Sequence, residues 1–116
     1  MQKAAQPVTT KSQKVHWAGL EFTYLEEAPD FGKLAGGFVY GFVKAYDAKQ
    51  ALKKITLELR NQFAVEVKEV EFVSLYDIRT KWETEKETKA YLSLHLKAET
   101  SGNAVFDAFH SYKKDF

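Results

Sequence analysis

Three histidines are the first residues that could do chemistry, because imidazole carries protons near neutral pH and is a common metal ligand. They are His16, His95 and His110, and none forms a His-x-x-x-His pair. A site built from His110, Asp107 and His16 across neighbouring strands is conceivable. Isolated histidines are the simpler interpretation, so we predict no metal site.

Ser111, His110 and Asp107 also carry the groups of a Ser-His-acid triad. Adjacent residues of a strand point to opposite faces of a sheet, so Ser111 and His110 would diverge. The chain has no cysteine, which removes thiol nucleophiles, disulfides and cysteine-ligated zinc. It also has no Gly-x-Ser-x-Gly elbow and no phosphate-cradling loop before a helix. We therefore predict no catalytic residue, no cofactor and no enzyme activity.

Carboxylates occur in two clusters, one in a Pro/Gly-rich segment and one in a strand-like segment. The first cluster is Glu26, Glu27 and Asp30, and the second is Glu66, Glu69 and Glu71. A catalytic pair would need one carboxyl with a raised pKa inside a cleft, which spacing alone does not indicate. An acidic patch that meets a basic partner is the more natural role. The predicted partner-binding residues are Tyr24, Glu26, Glu27, Asp30 and Phe31.

Composition limits the class of protein that positions these residues. The chain has 116 residues, the size of one domain, and 45% are hydrophobic, which is enough for a core. Residues 1–14 carry three lysines and no acid, and we predict a flexible polar tail there, followed by a single domain at 15–116. The 17 basic residues include these three, so the domain has 14 basic and 16 acidic groups, a net charge of −2. Such a balance does not favour tight binding to a phosphate backbone.

The apolar runs of the sequence are short. No segment reaches the roughly 18–20 apolar residues that span a bilayer. The first residues also lack the apolar core of a signal peptide. Together with the absence of cysteine, this predicts a cytoplasmic protein that does not bind membranes.

Apolar periodicity predicts the first half of the fold. Residues 15–25 alternate as a half-buried strand, and a loop follows at 26–37. Residues 38–46 are apolar on both faces, which favours a central strand covered on both sides. Asp47 caps the next helix, with Gln50 as its reciprocal partner. The apolar stripe of this helix is Ala48, Ala51, Leu52, Ile55, Leu59 and Phe63.

The second half is less regular. Residues 64–78 predict a long strand whose alternation breaks. A bulge near Lys68–Glu69 would bring Val65, Val67, Val70 and Phe72 to one face, and a change from half-buried to fully buried strand would explain the break equally well. Residues 84–100 have a capping-box start and a glycine stop, which favour a helix, but their apolar residues also alternate as in a strand. A final strand is predicted at 104–112.

These elements predict an α+β domain. It is a mostly antiparallel sheet of four or five strands with one or two helices packed on it. The order is strand, strand, helix, strand, then helix or strand, then strand. An exposed edge strand such as 104–112 could also pair with a second copy and form a homodimer.

The stretch Tyr40-Gly41-Phe42-Val43 resembles the aromatic strand of the RNA-recognition-motif family, in which aromatic rings stack on bases. The resemblance covers about twenty residues, includes the following helix, and implies an aromatic platform at Phe38, Tyr40 and Phe42. At the family's basic, glycine and last aromatic positions this chain has Phe38, Val39 and Ala45. The family's upstream strand-helix pair is also missing. We therefore interpret the three aromatics as core residues, with a nucleic-acid platform as the alternative.

The function that these patterns favour is a small, non-enzymatic protein-interaction module with a partner that could be basic. Bacterial immunity proteins, which occlude the basic active site of a toxin, are one class with a similar profile, so an inhibitor role is included in the prediction. The alternatives are a nucleic-acid-binding module that uses strand 38–46 and a small-ligand-binding domain with a pocket between sheet and helices.

Overall fold

The structure is a computed structural model that describes residues 12–80 and 82–113. It is an antiparallel five-stranded sheet with one helix on each face. The elements are β1 (Lys14–Tyr24), β2 (Leu34–Ala45), α1 (Ala48–Phe63), β3 (Val65–Leu75), α2 (Glu85–Ser101), β4 (Val105–Phe106) and β5 (His110–Lys113). The strand order is β3-β1-β2, and β4 and β5 share the outer edge of β2. This confirms the predicted α+β fold.

Strand β2 is the centre of the sheet because both of its faces are apolar. Val39, Val43 and Ala45 are fully buried in the core beneath α1. Phe42, on the opposite face, is fully buried in a second core beneath α2. The prediction of a central strand covered on both sides is therefore confirmed.

Helix α1 begins and ends through local hydrogen bonds. The backbone N–H of Gln50 donates to Oδ1 of Asp47 at 2.8 Å, as predicted for a cap. The side-chain oxygen of Gln50 accepts from the backbone N–H of Tyr46 at 2.8 Å. A reciprocal bond with the cap would instead have come from the backbone N–H of Asp47. The helix ends at Phe63, and the next residue, Ala64, caps it with a left-handed φ of 53°. The inward side chains Ala51, Ile55 and Leu59 are fully buried on the sheet.

The ambiguous segment is helix α2. Its capping box is complete, since the N–H of Glu87 donates to Oγ1 of Thr84 at 3.0 Å and the Glu87 carboxylate accepts from the N–H of Thr84. Gly102, with a φ of 76°, ends the helix. The strand alternative is wrong here, because the alternating leucines are distributed around a helix and two of them, Leu92 and Leu96, are exposed.

The first loop is shorter than predicted. Residues 34–37 of the predicted loop belong to β2, so only 25–33 connect β1 to β2. Gly36 has a φ of 118° and lies against the carbonyl of Phe22, and Gly37 lies against the carbonyl of His110. These glycines are therefore points of close strand approach rather than loop residues. At the other end of β1, Lys14 of the predicted tail belongs to the strand, and residues 1–11 of that tail lie outside the described residues.

Strand β3 contains two bulges, so the bulge alternative applies, but with a second bulge added to it. Lys68 is an extra residue between the pairs Glu21↔Glu69 and Phe22↔Val67. This agrees with the predicted bulge. Glu71 is a second extra residue, between Gly19↔Phe72 and Leu20↔Val70. Because each bulge reverses the facing of the residues beyond it, Phe72 lies on the α2 face and not beside the three valines as predicted.

The predicted final strand at 104–112 is in fact two short strands. Residues 107–109 interrupt it, and the N–H of Asp107 donates to the carbonyl of Tyr40 at 3.0 Å. Phe109 packs against Phe63 of α1, with ring centroids 4.9 Å apart, and against Phe22 at 5.3 Å. The inward turn of the Phe109 side chain extends the core beneath α1 and breaks the strand.

Gly36 and Gly32 provide a matched test of close approach. Both have positive φ, but a methyl group at Gly36 would collide with backbone of β1, whereas Gly32 faces open space. We expect Gly36→Ala to lower the free energy of unfolding by about 3 kcal/mol or more, and Gly32→Ala by about 1 kcal/mol, the cost of left-handed backbone alone. Urea unfolding monitored by circular dichroism measures both. Equal losses would contradict the packing role assigned to Gly36.

Candidate functional site

Helix α2 covers only one end of its sheet face. Ala98 is fully buried there, and the ring of Tyr91 lies 6.1 Å from that of Phe42. The Tyr91 hydroxyl donates to Oδ2 of Asp107 at 2.8 Å, which ties the helix to the segment between β4 and β5. Trp82 stacks on Tyr91 with centroids 4.3 Å apart and contacts Trp17 at 5.6 Å. Within the described residues no Cα atom of α2 lies within 8 Å of a Cα atom of β3, so the helix backbone lies away from the β3 side of this face.

The register of the sheet defines which residues lie on this face between α2 and β3. Gly19 is opposite Tyr40 on one side and Phe72 on the other. In the next row, Glu21 is opposite Phe38 and Glu69. A Cβ at position 19 would lie 2.5 Å from Cε1 of Phe72 and 2.9 Å from Cζ of Phe38, so two rings occupy the space above this glycine. The absence of a side chain at Gly19 therefore allows the aromatic rings of β2 and β3 to approach across β1.

Three carboxylates border these rings. One oxygen from each of Glu21, Glu69 and Glu71 lies within 4.8 Å of the other two. Glu21 is half-buried, and Glu69 and Glu71 are exposed. Phe38, Tyr40 and Phe72 are half-buried beside them. The acidic-aromatic surface is defined here as these six residues: Glu21, Phe38, Tyr40, Glu69, Glu71 and Phe72.

The predicted aromatic platform is only partly formed. Phe42 is fully buried beneath α2 and cannot stack on a ligand. Phe38 and Tyr40 are half-buried and pack edge to face, with centroids 5.0 Å apart. Phe72 extends this row, with its centroid 6.1 Å from that of Tyr40. The interpretation of these aromatics as core residues therefore holds fully for Phe42, whereas Phe38 and Tyr40 keep part of their surface accessible.

The predicted partner-binding loop is exposed and ordered by turns. Glu26, Glu27 and Asp30 are exposed, and Phe31 has 51% of its surface accessible. Consecutive backbone hydrogen bonds, including Phe31 N–H to Ala28 carbonyl at 3.1 Å, hold the loop. Tyr24 is half-buried, and its hydroxyl lies 2.6 Å from Oγ of Ser111. The structure thus keeps four of these residues available and ties Tyr24 to β5.

The loop and the acidic-aromatic surface lie at the same end of the sheet. The loop joins the end of β1 to the start of β2, and the Glu21↔Phe38 pair is close to that junction. Helix α2 packs toward the opposite end, over Phe42. Two acidic clusters that are separate in sequence are therefore brought to the same part of the molecule.

The histidine-based sites are not assembled. His16 is opposite Val43 on the α1 face, while His110 is opposite Phe38 on the α2 face. His16 is buried and its Nδ1 lies 2.8 Å from the carbonyl of Lys14. Oδ2 of Asp107 accepts a hydrogen bond from the Tyr91 hydroxyl, and the Ser111 hydroxyl is hydrogen-bonded to the Tyr24 hydroxyl. The groups of the conceivable metal site and triad therefore point to different partners.

The acidic-aromatic surface is not evident from the sequence, because its residues come from three strands. Glu21 is one polar position of an alternating strand, and the alternative with a single bulge places Phe72 on the wrong face. A detectable signal was present in Gly19, since a glycine inside a strand indicates close approach of other groups. The cross-strand register, which single-sequence patterns do not provide, was needed to place the rings over it.

Comparisons with known proteins do not extend this description. No protein family matches the chain, and no curated protein or solved structure is significantly similar to it. Within the described residues, neither helix has the length and apolar character needed to cross a bilayer.

The bond between Tyr91 and Asp107 predicts a pH dependence. Burial, reinforced by this hydrogen bond, raises the pKa of Tyr91 above its usual range. The stability that Tyr91 gains from this raised pKa is fully present below the pKa of an unfolded tyrosine, about 10. It is lost as pH rises from there through the higher pKa of Tyr91 in the folded protein. Tyr91→Phe should lower the free energy of unfolding by about 1 kcal/mol at neutral pH and should reduce its decline above pH ~10.

Urea unfolding between neutral pH and about pH 11 tests this expectation. Tyr46→Phe is the matched control, because Tyr46 is 49% exposed. The control should follow the unmodified protein at every pH. An identical alkaline decline in the Tyr91 variant and in the unmodified protein would show that Tyr91 does not hold its proton through this contact.

Proposed function

We propose that this protein is a small, non-enzymatic protein-interaction module that binds a basic partner through the acidic-aromatic surface. The observation that carries the proposal is the convergence of three carboxylates beside three partly accessible aromatic rings on the α2 face of the sheet, at the margin of the helix, where Tyr40 also packs against Tyr91 with centroids 6.0 Å apart. Neither the carboxylates nor the rings would be unusual alone. Together they offer a guanidinium or ammonium group both negative charge and an aromatic face.

Arginine is the side chain that fits this combination best. Its planar guanidinium can stack on an aromatic face while its N–H groups donate to carboxylates. The half-buried carboxylate of Glu21 is screened less by salt than Glu69 and Glu71, which strengthens attraction at the centre of the surface. The three aromatic rings offer no oxygen ligand to a bare metal ion but can stack on an organic cation, so an organic cation suits the site better.

The same charges weigh against the nucleic-acid alternative. Base stacking on Phe38 and Tyr40 would bring a phosphate backbone close to Glu21, Glu69 and Glu71, and like charges repel. A stacking platform normally lies beside positive charge. Phe42, the third aromatic of the alternative, is fully buried.

An inhibitor or immunity-type role is the finer form of this proposal. Basic active sites and nucleic-acid-binding grooves present clustered lysine and arginine side chains, and an acidic surface with aromatic anchors is complementary to them. The exposed acids at positions 26, 27 and 30 and the exposed ring of Phe31 would extend the contact at the same end of the sheet. A partner that spans both regions would gain affinity and association rate together.

Charge-neutralising double variants test the proposal with a fluorescein-labelled arginine-glycine peptide as the probe. We expect the unmodified protein to bind the peptide at low salt and Glu69→Gln/Glu71→Gln to weaken binding about tenfold, because two charge contacts are lost. Glu83→Gln/Glu85→Gln is the control with an equal change in charge, since these exposed glutamates have the same sequence spacing and belong to neither acidic cluster. The control should change affinity less than about twofold. Fluorescence anisotropy measures each affinity.

Two further arms separate the alternatives. Glu26→Gln/Glu27→Gln, with the same change in charge, reports whether the loop takes part. Labelled oligouridine replaces the peptide in the second arm and should not bind at tens of micromolar protein. Equal weakening by the control and the Glu69/Glu71 variant, or oligouridine binding that Phe38→Leu abolishes, would overturn the proposed function.

A further inference from the structure

The outward face of α2 has an apolar stripe with a charge at each end. Leu92 and Leu96, one turn apart, have 36% and 58% of their surface exposed. Lys89 lies three residues before Leu92, and Glu99 lies three residues after Leu96, and both are exposed. Spacings of three, four and three residues place all four on one side of a helix. These four residues are called the α2 stripe.

The α2 stripe is complementary to itself when its direction is reversed. Read in one direction it is basic, apolar, apolar and acidic. In an antiparallel pair of α2 helices related by a two-fold axis, Leu92 meets Leu96 of the partner subunit and Lys89 meets Glu99 of the partner subunit. Each contact then occurs twice, as an isologous interface requires. We propose that the α2 stripe binds a second copy of this chain in this antiparallel arrangement.

Charge determines both the partner and the orientation. A parallel arrangement would place lysine opposite lysine and glutamate opposite glutamate, so repulsion disfavours it. Lys89 also has its own intrahelical partner, since its Nζ lies 3.3 Å from Oε1 of Glu85. The side chains of Lys89 and Glu85 are 75% and 83% exposed, so Lys89 can also approach a second carboxylate at little cost.

The sheet edges fit a second copy less well. Strand β3 is interrupted by the bulges at Lys68 and Glu71, and its acidic residues would meet those of a second copy. The opposite edge consists of β4 and β5, which have two and four residues. The edge-strand homodimer predicted from the sequence therefore has only blunted edges to use, whereas the α2 stripe is continuous over three turns.

Further apolar surface lies beside the stripe. Leu75 and Ile78 are 55% and 54% exposed, and both line an open groove of about 310 Å³ together with His95 and Glu99 of α2. A partner helix on the stripe would cover part of this groove. The interface is small, and we expect a weak dimer with a dissociation constant between about 10 µM and 1 mM.

Reversal of the two charges gives a sharp test. Lys89→Glu and Glu99→Lys should each weaken self-association at least about fivefold, since each creates two like-charge contacts in the dimer. In an equimolar mixture of the two variants, every contact of the mixed dimer joins a lysine to a glutamate. Sedimentation equilibrium up to about 1 mM protein, with circular dichroism to verify folding, should detect a mixed dimer at least as stable as that of the unmodified protein.

Leu96→Ser and an off-stripe charge pair complete the design. Leu96→Ser should weaken self-association about tenfold or more, because the side chain is used twice. Glu83→Lys and Lys97→Glu, alone and mixed, should leave self-association unchanged. A monomeric unmodified protein at 1 mM, a dimer insensitive to Leu96→Ser, or the failure of the Lys89→Glu and Glu99→Lys variants to form a mixed dimer would each overturn the proposal.

Discussion

The position of α2 on the sheet is the constraint on which the functional surface depends. Tyr91 and Ala98 pack over Phe42, and the bond from Tyr91 to Asp107 holds the helix toward the β4 side. A helix placed over the centre of the sheet would cover Phe38 and Phe72 and remove the acidic-aromatic surface. The hydrogen bond and aromatic stacking at one end therefore leave the other end available for binding.

Elements with local signals were predicted well from the sequence. The caps at Asp47 and Thr84, the stop at Gly102 and the two-faced apolar pattern of β2 all depend on residues a few positions apart, and the structure confirms each of them. Glutamine at position 50 illustrates the limit, since it accepts from Tyr46 rather than from Asp47. The hydrogen bond from Gln50 N–H to the Asp47 carboxylate starts α1 as predicted, even though the Gln50 side chain bonds to a different backbone N–H.

Features that depend on strand register could not be predicted in this way. A bulge has no residue type of its own, and the second one at Glu71 changes the face of Phe72 without any change in composition. Gly36 and Gly37 resembled loop residues because their role, contact with neighbouring strand carbonyls, involves residues distant in sequence. The exposed acids of the first loop were predictable, but their proximity to the second acidic cluster was not.

The second bulge connects fold and proposed function. Without Glu71 as an extra residue, regular alternation would place Phe72 on the α1 face and leave Gly19 without its covering ring. With the bulge, Phe72 packs on Trp17 at 4.6 Å, and Glu71 itself approaches Glu21 and Glu69. Three carboxylates in proximity repel one another, and no folding advantage of this cluster is evident from its contacts. Under the proposed function, a basic partner that binds beside these rings would relieve this repulsion.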